Sequence, residues 1–201
     1  MKVAVYSGSF DPLHIGHLAI LESLCAMGAF GAVYLVVSPQ NPLKPSEKSE
    51  NAYARLSAAR EAVSRHPELS LRHPEPSSRH PELVSGSPTQ VRVEDIEFFL
   101  PRPNYTISTL DALRAREPEN EFTLVMGADS LCDIRRWKDW ERILTDYGVI
   151  VYPRSGYDIS ELELNDKRYR IRIMDAPVVD VSSTQIRELL SRGKDTSKLM
   201  I

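Results

Sequence analysis

The run Lys2-Val3-Ala4-Val5-Tyr6 leads through Ser7 into Gly8-Ser9-Phe10-Asp11-Pro12-Leu13-His14-Ile15-Gly16-His17, and Leu18-Ala19-Ile20-Leu21-Glu22-Ser23-Leu24 follows with helical spacing. These residues predict a strand from Lys2 to Tyr6, a tight glycine-containing loop, and a helix from about Gly16 to Met27. Leu18, Leu21, Leu24 and Cys25 share one face of that helix, and Gly28 stands where a C-terminal cap belongs. A loop passing from a strand into a helix N-terminus offers unpaired backbone N–H groups and the positive end of the helix dipole to an anion, usually a phosphate. His14 and His17, three residues apart, add side-chain donors at the same end.

Outward from this loop, Ala32-Val33-Tyr34-Leu35-Val36-Val37 is an apolar run of strand length, the pattern of a parallel strand covered on both faces. Strand, helix and strand make a βαβ unit with a right-handed crossover. The proline-stiffened loop Ser38-Pro39-Gln40-Asn41-Pro42-Leu43-Lys44-Pro45 leaves the carboxyl end of the second strand, on the sheet edge where open α/β sheets carry ligands. Lys44 is placed there to reach a phosphate. Asn51 to Val63 reads as an alanine-rich helix with Leu56, Ala59 and Val63 inward and Arg55 and Arg60 off that stripe. Further on, Val91 to Phe98 alternates as a strand, Ile107 to Arg116 is a helix, and Glu121 to Met126 is a buried-type strand ending in Gly127-Ala128-Asp129. Ser130 to Arg136 begins a helix, and Trp137 leads into a second short one through Leu144. Tyr147 to Tyr152 and Arg170 to Met174 are strands, and Ser182 to Arg192 is the closing helix, followed by a polar tail without a core pattern. The class is α/β: a Rossmann-like doubly wound parallel sheet in a single domain over 1–201.

One segment departs from this pattern. Arg65-His66-Pro67-Glu68, Arg72-His73-Pro74-Glu75 and Arg79-His80-Pro81-Glu82 are three copies of one motif at a seven-residue period. Each histidine precedes a proline, which breaks any helical face, and no Cys or Asp with ligand spacing lies nearby. The stretch from about 64 to 88 reads as a low-complexity insertion without a metal site.

The totals bound the partners. Of 201 residues, 42% are hydrophobic and 26% charged, ordinary for a globular chain, and the net charge of −3 argues against a nucleic-acid or anionic-membrane binder. No apolar run approaches the roughly 18–20 residues that span a bilayer, and the N-terminal pattern is not that of a signal peptide. Cys25 and Cys132 sit in apolar helical patterns and read as buried reduced thiols, which implies a cytoplasmic address. Homo-oligomerisation is left open.

Three places carry chemistry. The opening loop has neither the P-loop nor the Gly-x-Gly-x-x-Gly pattern. It offers His14 and His17 at a positive helix end, suited to stabilising charge on phosphate oxygens. In Ser182-Ser183-Thr184-Gln185-Ile186-Arg187, Ser182 and Gln185 fit a capping box, while Thr184 and Arg187 share one face of the first turn and add a second phosphate site. Two helix N-termini at one sheet edge suit a polyphosphate, and so nucleoside triphosphate chemistry. Asp129 reads as an N-cap able to hold a ribose hydroxyl, and Trp137 as a core residue or a wall against a flat heterocycle.

The Gly8 to His17 stretch, with its His-x-Gly-His core, resembles the signature of the nucleotidyltransferase superfamily, and Ser182 to Arg187 resembles its Ser-Ser-Thr-x-Ile-Arg motif. Asn104-Tyr105-Thr106-Ile107-Ser108-Thr109-Leu110 is similar to the Ser-Tyr-Thr-x-x-Thr-Leu stretch of bacterial nicotinate-nucleotide adenylyltransferases, with Asn104 for the usual serine. Gly127-Ala128-Asp129-Ser130-Leu131 and Trp137-Lys138-Asp139-Trp140 are similar to their Gly-x-Asp-Ser and Trp-x-x-Trp segments, and Asp95-Ile96-Glu97 and Tyr152 to Tyr157 also resemble family segments. The repeat is foreign to that family, and relatives usually continue beyond Ile201 through one more short helix. The resemblance implies adenylyl transfer from ATP to nicotinate mononucleotide, giving deamido-NAD and pyrophosphate in NAD biosynthesis. Mg²⁺ would be carried by ATP with few protein ligands. His14, His17, Lys44 and Arg187 would be catalytic. Gly8, Ser9, Phe10, Gly127, Asp129, Arg154, Ser182, Ser183 and Thr184 would join the histidines and Arg187 in binding ATP. Tyr105, Thr106, Trp137 and Lys138, with Lys44, would hold the acceptor. Phosphopantetheine and nicotinamide mononucleotide are the rival acceptors, and a non-catalytic nucleotide-binding protein is the rival class.

Overall fold

The computed structural model describes residues 1–40, 51–67, 69, 89–159, 162–164, 166–179 and 181–201. Among these, six strands form one parallel sheet: β1 (Lys2–Gly8), β2 (Ala32–Val37), β3 (Gln90–Glu94), β4 (Glu121–Gly127), β5 (Val149–Tyr152) and β6 (Ile171–Ile173). The spatial order is β3-β2-β1-β4-β5-β6. Strand order therefore reverses between β1 and β4, and this switch point opens a crevice at the strands' carboxyl ends.

Side-chain alternation builds a core on each face. Every residue of β2 is buried. Val33, Leu35 and Val37 pack on the layer that holds Leu21 and Leu24 of α1 (Ile15–Ala26) and Leu56 and Ala59 of α2 (Ala52–Arg65). Ala32, Tyr34 and Val36 point the other way, to Leu110 and Leu113 of α3 (Thr106–Arg116) and Leu131 of α4 (Ala128–Cys132). Ile143 and Leu144 join them from a π-helical turn, Ile143–Tyr147, that continues α5 (Trp140–Arg142). A strand apolar on both sides is stable only when both sides are covered, so the doubly wound arrangement follows from the β2 sequence. The last helix is α6 (Ser183–Ser191).

Several sequence expectations change. β3 stops at Glu94, and Ile96–Phe98 forms a 3₁₀ turn that carries Glu97 inward instead of continuing the alternation. Arg55 is buried although it lies off the apolar stripe of α2, because loop carbonyls surround its guanidinium; Ala62, not Val63, takes the innermost position. Cys25 is buried as expected, but Cys132 is exposed, since α4 ends there and Leu131 takes the inward position. The polar tail is not free of the core: Thr196 is buried, and the Leu199 carbonyl accepts the Ile15 N–H at 3.0 Å. Leu69, in the first repeat copy, is buried against α1, where its carbonyl accepts the Cys25 thiol at 3.3 Å. Lys44, His73 and His80 lie outside the described residues. Among the described residues no helix is long and apolar enough to cross a membrane.

Candidate active site

The histidine loop is built by its own backbone. His14 caps α1: its Nδ1 accepts the Gly16 N–H at 3.2 Å, while His17 Nδ1 accepts the His14 N–H at 3.2 Å. An Nδ1 that accepts from an amide leaves the ring proton on Nε2, so each neutral histidine keeps one Nε2–H donor. The two rings stack at 3.7 Å between centroids. Burial first, then the Arg154 charge, lowers the His14 pKa to about 4. Burial, then His14 and Arg154, holds His17 well below the usual histidine range. Both are therefore neutral hydrogen-bond donors near neutral pH, not cations. Gly16 allows the stack, because a Cβ there would come within 3.0 Å of the His14 ring.

Phe10 supports His17 from below. Its ring meets the imidazole edge-on at 5.1 Å and the Tyr6 ring at 5.3 Å. To place it there the backbone adopts φ = 47° at Phe10, a left-handed conformation that costs an L-residue roughly 1–2 kcal/mol.

The N-terminus of α6 comes to the same loop. Ser182 and Gln185 form the expected capping box, with the Gln185 N–H donating to Ser182 Oγ at 3.2 Å and the Ser182 N–H to Gln185 Oε1 at 2.8 Å. Ser183 Oγ donates to the Pro12 carbonyl at 3.1 Å, and Arg187 Nη1 to the Asp11 carbonyl at 2.6 Å. Arg187 Nη2 donates to Thr184 Oγ1 at 3.2 Å, so the two sit on one face as their spacing implied. The two helix starts are thus fastened together across more than 170 residues of chain.

Between them lies a cleft of about 550 Å³ whose wall includes Gly8, Ser9, Phe10, His14, His17, Asp129, Arg154, Ser182, Ser183, Thr184 and Arg187. Asp129, from α4, and Arg154, just after β5, face each other at 3.4 Å, both more than a third exposed. The facing atoms, Asp129 Oδ1 and Arg154 Nε, are themselves buried and have no hydrogen-bond partner among the described residues, which leaves polar capacity for a ligand. Gly127 leaves them room: a Cβ there would press on Asp129 Oδ1 and come within 3.1 Å of Tyr152 and 3.2 Å of Arg154. Pro153, Val178, Val179 and Val181 line a further pocket that shares His14, His17 and Arg154 with the cleft.

A second pocket, of about 150 Å³, opens beside the first and is lined by Tyr105, Thr106, Gly127, Trp137 and Lys138, with Tyr6, Gly8 and Trp137 common to both. Tyr105 caps α3 without a side-chain hydrogen bond to the helix, so the first N–H groups of α3 keep their donor capacity. Lys138 Nζ lies 4.7 Å from the Tyr105 ring centroid, a cation–π contact. Every site residue expected from sequence, Lys44 apart, therefore reaches one of two adjoining cavities at the switch point.

Sequence reasoning missed three contributors. Glu97 lines the smaller pocket at 3% exposure and accepts hydroxyls from Ser7 at 3.2 Å, Ser38 at 2.5 Å and Thr109 at 2.9 Å. Burial raises its pKa, and the three hydroxyls counter part of the shift. Arg136 lines both cavities. Arg55 holds loop carbonyls behind the cleft. A glutamate at an inward-alternating position of a strand-like run was the available signal for Glu97; Arg55 had none, since its carbonyl partners are distant in sequence.

Residues 5–189 match the family described as cytidylyltransferase-like. A protein of Bacteroides fragilis named "Probable nicotinate-nucleotide adenylyltransferase" is 36% identical over 96% of this chain and 84% of its own length. One of the same name from Flavobacterium psychrophilum is 36% identical over 100% of this chain and 92% of its own. Among solved structures, the Plasmodium falciparum nicotinic acid mononucleotide adenylyltransferase complexed with NaAD superposes with a TM-score of 0.71 at 18% identity, covering 98% of this chain and 87% of that one. The same enzyme complexed with APC gives 0.70 at 17%, over 99% of this chain and 90% of that one. At that identity these two speak for the fold, while the match over residues 5–189 and the 36% relatives fix the family: the chain belongs to the cytidylyltransferase-like family of nucleotidyltransferases.

Proposed function

We propose that this chain transfers the adenylyl group of Mg-ATP to nicotinate mononucleotide, yielding deamido-NAD and pyrophosphate. The observation that carries the reading is the pair of adjoining cavities at the switch point, one rich in phosphate-type donors and one with an indole and the start of α3 in its wall. In the reaction an oxygen of the acceptor phosphate forms a bond to the α-phosphorus of ATP, the bond from that phosphorus to the β-bridging oxygen breaks, and pyrophosphate leaves with the electron pair. Such transfer needs positioning and charge stabilisation rather than a protein nucleophile.

His14 and His17 donate Nε2–H to phosphate oxygens as charge builds on them. Arg187, with the α6 N–H groups of Ser183 and Thr184 and the loop N–H groups near Gly8, Ser9 and Phe10, binds the polyphosphate. Mg²⁺ arrives with ATP as substrate, held by its phosphates. Asp129 and Arg154 contact the nucleoside side beside Gly127, and the pocket of Pro153, Val178 and Val179 accepts the purine. Trp137 and Tyr105 flank the pyridine ring. The N–H groups at Thr106, with Lys138 and Arg136 nearby, suit a carboxylate over an uncharged amide. Lys44 serves the acceptor phosphate.

The test is pyrophosphate release from Mg-ATP with nicotinate mononucleotide, nicotinamide mononucleotide and phosphopantetheine supplied separately. Release is expected with the first and far less with the others. A preference for another acceptor overturns the assignment, and no release with any acceptor favours a nucleotide-binding protein without this activity.

A further inference from the structure

Arg55 is 7% exposed and stands behind the cleft, on the first half of α2. Its Nη1 donates to the Ser9 and Ser38 carbonyls, the second at 2.8 Å, and Nη2 donates to the Pro39 carbonyl at 3.1 Å. One planar fork thus fastens the loop after β1 to the loop after β2. The Ser38 N–H donates to the Gly8 carbonyl at 2.8 Å and reinforces the same junction.

The Ser9 contact has a direct consequence for the cleft. The Ser9–Phe10 peptide is trans, so its C=O and N–H point in opposite directions. A carbonyl drawn back to Arg55 turns the Phe10 N–H away from α2, toward the cleft that Ser9 and Phe10 line. That N–H donates to no atom of the described residues. Without Arg55 the Ser9 oxygen would be free to rotate toward the anion site, where it repels phosphate. The same peptide orientation fixes the left-handed turn at Phe10, and so the ring that seats His17. A strained backbone persists only where its surroundings over-determine it, and here the guanidinium supplies that constraint.

We propose that Arg55 is a positioning residue for adenylyl transfer: it locks the Ser9–Phe10 peptide so that its N–H serves as a phosphate donor and Phe10 holds His17 in place. The proposal rests on the nucleotidyl-transfer reading above. It is tested with Arg55→Lys, which keeps the charge but cannot span three carbonyls, and Arg55→Ala, which leaves room for free guanidinium. Pyrophosphate release is measured with Mg-ATP and nicotinate mononucleotide, alongside thermal melting. The expected result is a folded Arg55→Lys protein whose kcat falls about 10²-fold, the scale set by small misplacement of reacting groups. The KM for the acceptor stays at its normal value. Millimolar guanidinium chloride restores part of the turnover of Arg55→Ala, the opposite of what a denaturant does to a merely unstable protein. Wild-type kcat in Arg55→Lys overturns the proposal, and so does activity lost only in proportion to the unfolded fraction with no rescue. If the native protein itself releases no pyrophosphate, the functional reading fails separately. Calorimetric titration with Mg-ATP then decides: weaker binding by Arg55→Lys supports the proposal and equal binding overturns it.

Discussion

At the scale of single residues, the histidines act through burial. Two neutral imidazoles with their Nδ1 atoms committed to backbone amides form a fixed pair of Nε2–H donors, aligned before a substrate arrives. His17→Ala is expected to lower kcat by about 10²–10³-fold, the range for removing one such donor. A melting temperature near that of the parent would show that the loss is chemical. The same burial sets a pH dependence of stability. The folded His14 value of about 4 lies below the ordinary 6.5, and His17 is displaced the same way. The unfolded chain therefore binds more protons between these limits, and stability falls as pH drops from about 6.5 toward 4. Glu97 has the opposite sign, because its raised pKa favours the folded state on acidification and offsets part of the loss. Denaturant titrations across this range should give a smaller loss for a folded His17→Gln variant than for the parent; an equal loss would remove His17 from the account. The placement of His14, His17 and Arg187 beside two helix starts was legible because motif spacing alone sets a helix N-terminus. Glu97 and Arg55 were not, because their partners, Ser7, Ser38, Thr109 and the carbonyls of Ser9 and Pro39, meet them only after the sheet has assembled.

At the scale of elements, the site is two helix starts and the ends of central strands. The β1 loop and α6 do not rely on the sheet alone for their relative placement, since Ser183 and Arg187 bind the Pro12 and Asp11 carbonyls. The turn from β4 into α4 is equally constrained. Gly127→Ala would push a methyl group against Asp129 Oδ1, Tyr152 and Arg154. It is expected to raise the KM for ATP by roughly tenfold, about 1.4 kcal/mol, with little change in melting temperature, as steady-state kinetics and a thermal melt would show. The long apolar run of β2 and the Ser182 capping box were read correctly, because local sequence determines both, whereas Asp129 is not the N-cap of α4: Gly127 takes that position and Asp129 lies in the first turn. The segment from Val91 to Phe98 was not: its alternation continues through Phe98, but tertiary hydrogen bonding to Glu97 and Asn104 ends the ladder at Glu94.

At the scale of the whole molecule, the strand order brings the β1 loop, the β4 turn and α6 to one crevice from opposite ends of the chain. Alternation of strands and helices gave the class, and the proposed acceptor rests on family resemblance; neither specified how the tail and the repeat join the core. Leu69 draws the first repeat copy under α1, whereas the following copies carry no expected site residue. Deleting residues 70–83 should leave turnover unchanged in the pyrophosphate assay. Deleting 65–83 removes Leu69 as well and should lower the melting temperature, since an emptied core position costs about 2–5 kcal/mol. Loss of turnover in the shorter deletion would assign the repeat a role in the reaction.

The reaction proposed for this chain is direct attack of the acceptor phosphate on the α-phosphorus of ATP. Nicotinate mononucleotide labelled with oxygen-18 in its phosphate, incubated with Mg-ATP and the protein, should yield deamido-NAD carrying the label and unlabelled pyrophosphate, as read by mass spectrometry. Label in the pyrophosphate, or no dinucleotide at all, would contradict the account.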